Sequence, residues 1–180
     1  MKPIILAILF VASPAKADPQ RLSVEQDPLA YAFNGWDVMV AYQHPALPHV
    51  RATLAVYGAD WPGTADGFTD HQTAITTKLQ YFPSEGGRGL MVGAQFAFGK
   101  EDYTYTMTPG HQSLDVAIVR AIAGYRWFPF GRGLFIYPWG GVGVRVPVKG
   151  DREIMIDNHR TTVGYFSPVL TFHVGYEVTF

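Results

Sequence analysis

From Leu170 onward the chain alternates without a break: Leu170, Phe172, Val174, Tyr176, Val178 and Phe180 fall on one face of an extended strand, and Thr171, His173, Gly175, Glu177 and Thr179 fall on the other. Successive side chains of a strand point to opposite faces, so one side of this segment is apolar and the other polar up to the last residue. Earlier segments repeat the division. Trp36, Val38, Val40 and Tyr42 alternate with Asp37, Met39, Ala41 and Gln43, and Val50, Ala52, Leu54 and Val56 alternate with Arg51, Thr53, Ala55 and Tyr57. Ile75, Thr77, Leu79 and Tyr81 alternate with Thr76, Lys78 and Gln80. The pattern predicts strands over 36–44, 49–58, 72–82, 89–99, 113–128, 133–147 and 169–180, separated by Gly, Pro, Asn and Asp, with helical periodicity almost absent.

Charged residues stand in mid-strand, opposite the apolar face. In a soluble sandwich that face would be solvated; in a membrane barrel it lines the lumen, and the apolar band meets lipid. Most runs reach the roughly 9–11 residues that a tilted strand needs to cross a bilayer. Charged residues make up only 16% of the chain, below the roughly 25% of an average soluble domain, which fits a surface partly covered by something other than water. The expected fold is therefore all-β: a transmembrane antiparallel up-and-down β-barrel of about eight strands. The competing architecture is a soluble barrel of lipocalin type, in which the faces are reversed and Phe172, Tyr176 and Leu134 pack together in an enclosed centre.

The first 17 residues read as a secretory leader, with Lys2, an apolar run from Ile4 to Ala12, and a small-x-small site at Ala15-Lys16-Ala17. Cleavage before Asp18 would divide the chain into a signal peptide, 1–17, and a barrel domain, 18–180. Loss of Lys2 and Lys16 leaves 12 basic against 15 acidic side chains, a balance that argues against a nucleic-acid partner. The absence of cysteine excludes disulfides, thiolate metal sites and a cysteine nucleophile. No cofactor and no metal site are expected.

An internal repeat favours a hairpin-built barrel. Tyr81-Phe82-Pro83 leading to Arg88-Gly89-Leu90 is echoed by Trp127-Phe128-Pro129 leading to Arg132-Gly133-Leu134. Registering the copies places Leu90, Val92, Ala94, Phe96 and Phe98, and likewise Leu134, Ile136, Pro138, Gly140, Val142 and Val144, on the lipid side. Phe135, Tyr137, Trp139, Arg120, Arg126 and Arg145 then point inward. Tyr81, Phe82, Trp127 and Phe128 are expected in one interfacial girdle. The short turns at 44–49, 83–88 and 129–132 should be periplasmic, and the loops 59–71, 100–112 and 148–165 extracellular. An even strand count needs one more strand at the start. Asn34-Gly35 is a two-residue hairpin signal that would pair Phe33 with Trp36, Tyr31 with Val38 and Leu29 with Val40. Asp27-Pro28 offers the alternative of a short helix over 28–33 that plugs or caps the barrel.

An aromatic C-terminus closing an alternating strand, behind a secretory leader, resembles the terminal strand by which bacterial outer-membrane barrels are recognised for assembly. The whole mature chain resembles the small, roughly eight-stranded outer-membrane barrels of the OmpA-, OmpX- and OmpW-like class. The resemblance implies an outer-membrane location, outer-membrane lipid and the barrel-assembly machinery as partners, the latter through the strand ending in Phe180, and a monomer.

The interior of an eight-stranded barrel is just wide enough for its own side chains. Asp37, Arg51, Lys78, Arg120, Arg126, Arg145, His173 and Glu177 would share it, and buried charges are tolerable only when paired and hydrogen-bonded. The expected role of this set is an internal network that holds the barrel shut; a narrow polar path for small solutes is the functional alternative. His111 and Ser113, with Asp115, would line the outer face near the extracellular rim and resemble faintly the His-x-Ser pair of outer-membrane lipid A deacylases. The residues after Ser113 depart from that family's pattern, and no acid stands where the family supplies one. Asp60, Asp66 and Asp70, with Gly63 and Gly67, fit no EF-hand spacing and read as a solvated loop. Tyr103, Tyr105 and Met107 read either as a sticky recognition surface or as a β-extension above the membrane. The function expected is non-enzymatic, structural or surface-interacting through the extracellular loops.

Overall fold

The computed structural model describes residues 19–61, 67–131 and 133–180. The expected leader lies outside the described residues, as do Gly63 and Asp66 of the acidic loop and Arg132 of the repeat. The elements are β1 (Arg21–Gln26), α1 (Pro28–Ala32), β2 (Trp36–Gln43), β3 (Val50–Trp61), β4 (Phe68–Tyr81), β5 (Gly89–Tyr105), β6 (His111–Arg126), β7 (Leu134–Lys149), β8 (Glu153–Ile156), β9 (His159–Thr162) and β10 (Val169–Thr179). Among the described residues, eight strands close a barrel in the order β1-β10-β7-β6-β5-β4-β3-β2, every pair antiparallel, while β8 and β9 form a separate hairpin. Closure removes the free strand edges that an open sheet would present. Gln20 and Phe180 exchange backbone hydrogen bonds of 3.0 and 3.1 Å, which ties the two ends of the barrel wall together.

The faces divide as the alternation dictates. Leu170 is 83% exposed and Tyr176 61%, whereas Phe135 and Tyr137 are completely buried on the inner side. The apolar row ending in Phe180 thus faces outward and the row containing Glu177 inward. A lipocalin-type interior, which needs the opposite assignment, is excluded by these positions. The fold is that of a small transmembrane β-barrel.

Three expectations are corrected. The first barrel strand is not the segment paired across Asn34-Gly35. It is β1, earlier in the chain, with Val24 opposite Val40 and Leu22 opposite Tyr42. Asp27 caps a one-turn helix instead: its carboxylate accepts from the Leu29 amide at 2.9 Å, and Pro28 starts the turn. Asn34 takes a positive φ of 51° at the exit of the helix rather than in a hairpin. Gly35 is required there because a Cβ would run into the Gly58 and Ala30 carbonyl oxygens and the Ala59 Cα.

The second correction concerns the long loops. β3 and β4 run to Trp61 and from Phe68, and β5 and β6 run to Tyr105 and from His111, so much of 59–71 and 100–112 is strand. Tyr103 and Tyr105 belong to a β-extension. The 17 residues of β5, at about 3.3 Å each and tilted about 40°, rise on the order of 40 Å against an apolar band of about 25 Å. The excess stands at the long-loop end, where β8–β9 folds inward: Ile154 and Ile156 are buried with Phe68, Leu114, Val116 and Tyr103.

The third concerns the aromatic girdle. Tyr81 and Trp127 face outward, but Phe82 and Phe128 are buried inside. Neighbouring residues of a strand cannot share a face, and the inward pair packs with Met91 and Phe135 across the short-turn end of the lumen.

Because β1 is only six residues long, it covers only the short-turn half of the wall between β2 and β10. Its pairing stops at Glu25 with Met39 and at Gln26 with Val174. Beyond that level, α1 occupies the seam. The Asp27 amide donates to both carboxylate oxygens of Asp37 at 2.9 Å, Thr171 donates to Asp27 Oδ2 at 2.6 Å, and the Asp60 amide donates to the Phe33 carbonyl at 2.9 Å. The helix is therefore a patch in the wall and not a free cap over the mouth.

Candidate functional site

The inward rows bring the lumenal residues together in tiers. At the short-turn end, Arg126 donates to Glu177 Oε2 at 2.7 Å and to the Gly87 carbonyl at 3.1 Å, with its guanidinium 3.7 Å from the Phe135 ring centre. Arg21 holds the other Glu177 oxygen at 3.1 Å. The delocalised, weakly hydrated guanidinium tolerates burial against aromatic faces, so ion pair and rings together close this end.

At mid-height, Arg51 pairs with Glu25 and donates to Gln80 Oε1 and Ser23 Oγ, both at 2.7 Å. Gln80 donates onward to the Tyr137 hydroxyl at 2.8 Å. Trp139 Nε1 donates to His173 Nε2 at 2.8 Å, and His173 Nδ1 meets Glu25 Oε2 at 3.1 Å. An indole nitrogen can only donate. Nε2 is therefore the acceptor and Nδ1 carries the hydrogen toward Glu25, which gives a neutral imidazole serving as a connector between Trp139 and the carboxylate. All these side chains are buried.

Above this tier, Arg145 reaches Glu101 at 3.3 Å, and Glu101 also accepts from Gln72 at 2.9 Å and from Tyr103 at 2.8 Å. Asp37 is committed to the Asp27 amide. Arg120 donates to the Ser167 carbonyl and hydroxyl at 3.1 and 2.7 Å and to Gln95 Oε1 at 3.2 Å. The Lys78 ammonium lies 4.0 Å from the Trp139 ring centre and 3.8 Å from Met39 Sδ. At the long-loop rim, burial and then the Glu101 charge push the Asp70 carboxyl up to about 7, against the opposing pull of Arg145. Hydrogen bonds from His71 and Asn34 hold Asp60 below the ordinary carboxylate range.

Of these partners, Gln80 falls on the polar row with Lys78, whereas Ser23, Glu25 and Glu101 are not singled out by the sequence. Ser23 and Glu25 alternate with Leu22 and Val24, but over too short a run to stand out, and Glu101 falls in what reads as loop. The outer-face trio is not assembled for acyl transfer. Ser113 donates to Asp102 on the neighbouring strand, and among the described residues no hydrogen bond joins it to His111. Asp60 and Asp70 sit on neighbouring strands, opposite His71 and Trp61 respectively, and Asp66 lies outside the described residues.

The closed wall, with the short-turn half of its interior filled, defines the class as a small eight-stranded transmembrane β-barrel. No family model matches the sequence, and no curated protein matches it. Among solved structures, a major outer membrane protein from Thermus thermophilus is similar over 88% of this chain and 99% of that one, with 15% identity and a TM-score of 0.52, which is a likeness of fold. The N-terminal β-barrel domain of Pseudomonas aeruginosa OprF aligns over 90% and 98% with 11% identity and a TM-score of 0.46. Acinetobacter baumannii CarO aligns over 89% and 97% with 13% identity and a TM-score of 0.40.

Proposed function

We propose that the protein is a monomeric, non-enzymatic barrel of the bacterial outer membrane that acts through the surface of its long-loop end. The short-turn end then faces the periplasm, outer-membrane lipid covers the apolar band, and the strand ending in Phe180 is the handle by which the assembly machinery recognises the chain. One observation carries the reading: the short-turn half of the lumen is filled by rings and by the Arg51–Glu25 and Arg126–Glu177 pairs, while the strands continue past the apolar band and present exposed Met107 and Met155 at the rim. A filled lumen argues against conduction, and an exposed apolar rim suits protein or surface contact.

The test is replacement of residues 151–162 by a short Gly-Ser turn in cells expressing the protein. The expected outcome is loss of surface binding, by adhesion to an abiotic or cell surface, with unchanged solute permeability and an unchanged lipid A mass spectrum. Discrete conductance in planar bilayers would instead establish a channel. A lipid A mass change that disappears in Ser113→Ala would establish an enzyme.

A further inference from the structure

A cavity of about 660 Å³ lies in the long-loop half of the lumen, reaching from Lys78 and His173 at mid-height to Trp61, Thr69 and Thr162 at the rim. Lys78, Arg120 and Arg145 line it, and the first two differ from every other inward cation described above. Arg21 and Arg126 share Glu177, Arg51 has Glu25, and Arg145 has Glu101. Lys78 and Arg120 have no carboxylate within ion-pair distance among the described residues, although they are only 4% and 8% exposed.

Their placement follows from the register. Thr53, Lys78, Gln95, Arg120 and Gly143 stand directly opposite one another on consecutive strands, all on the inner face. Gly143 allows the close approach of its strand at the end of the row, since a Cβ there would run into the Val119 carbonyl oxygen and the Arg120 Cα and Cγ. Arg120 is steered by neutral oxygens of Ser167 and Gln95, and the Lys78 ammonium touches a thioether and an indole face, which are weak partners for its three donors. Three carboxylates face the same cavity, those of Asp27, Asp37 and Asp70. Asp27 and Asp37 are committed to the helix cap and to Thr171, Asp70 stands at the long-loop rim, and among the described residues none of the three pairs with Lys78 or Arg120. A buried, charged ammonium without an anionic partner is costly, and the cavity beside it leaves space for one.

We infer that this cavity is a binding site for a small organic carboxylate with an apolar body, its anion held between Lys78 and Arg120. Met39, Trp139, Phe33 and Leu29 supply the apolar walls. The anion completes the Lys78 donors, and the rings and aliphatic chains exclude water around it, which strengthens the charge-assisted bonds. The site goes beyond the proposed surface role and does not depend on it.

The probe is 2-naphthoate, with 2-naphthylmethanol as its uncharged counterpart, added to the protein folded in phosphatidylcholine nanodiscs and compared with empty nanodiscs by equilibrium dialysis. Wild type is expected to bind naphthoate saturably at one site and to gain urea resistance with probe concentration, as ligand linkage requires. Loss of one charge-assisted bond in Lys78→Met or Arg120→Gln should weaken that binding on the order of tenfold without changing retention of the alcohol. The gain of urea resistance in wild type provides a readout that does not need the variants to fold. Naphthoate retention equal to that of empty nanodiscs, or equal affinity in wild type and Lys78→Met, would overturn the inference.

Discussion

Replacing Glu25 by Gln should cost about 3 kcal/mol of unfolding free energy. Glu25 and Arg51 are each almost fully buried, and Glu25 supplies the only carboxylate bonded to Arg51 among the described residues. Breaking a buried pair by removing one partner costs about 3–5 kcal/mol, because the surviving charge stays buried without compensation. The lower end applies because Arg51 keeps Gln80 and Ser23 as neutral acceptors and the glutamine preserves the shape that His173 contacts. Removing the charge from both sides in Glu25→Gln/Arg51→Met leaves no orphaned ion, so the double variant should lose far less than the sum of the singles, with a coupling energy of about 2 kcal/mol or more. The assay is urea unfolding from lipid vesicles followed by tryptophan fluorescence, with midpoint and slope measured for all four proteins. Single variants costing under about 1 kcal/mol, or additive effects, would refute the claim that this pair is what compensates the buried guanidinium.

Two further predictions follow from the wall and the rim. Gly35→Ala forces a methyl group against three backbone atoms, so it should cost about 1–3 kcal/mol, as overpacking does, and should raise amide exchange in 27–35 more than in β5 or β6; equal protection of both regions would contradict the close approach. Asp70 has a carboxyl raised to about 7 and an Oδ1 without a hydrogen-bond partner among the described residues. A raised acid binds its proton more tightly when folded, so it lowers stability as pH climbs from about 4 to about 7. Asp70→Asn should therefore gain on wild type between pH 5 and pH 8, by at most about 4 kcal/mol, and a difference in urea midpoint that does not change with pH would contradict the assignment.

The barrel was legible because its signal is local and repeated. A period of two is set by each strand's own pleat, so the outward placement of Leu90, Phe96 and Val142 and the inward placement of Lys78, Arg120 and Trp139 could be read without knowing the neighbours. The same rule, applied strictly at the turns, separates Phe82 from Tyr81 and Phe128 from Trp127. What escaped depends on non-local partners. β1 is short, and its Ser23 and Glu25 acquire meaning only beside Arg51, His173 and Gln80, which stand far away in the chain. Asn34-Gly35 carries the local chemistry of a hairpin, but the Asp27 cap and the space between Gly58 and Ala30 select a helix and a tight exit. The strand extensions were hidden because Glu101, Asp102 and Asp70 look like loop residues until Arg145, Ser113 and the β8–β9 hairpin are placed against them.

Which side of the sheet touches hydrocarbon decides the membrane assignment, and the absence of native cysteine makes it directly measurable. Single cysteines introduced at consecutive positions from Gln95 to Phe98, spin-labelled and read in lipid bilayers for collision with oxygen and with a water-soluble nickel complex, should alternate, with oxygen accessibility high at 96 and 98 and low at 95 and 97. Accessibility that fails to alternate, or that peaks at 95 and 97, would contradict the membrane-facing assignment of the row that ends at Phe180.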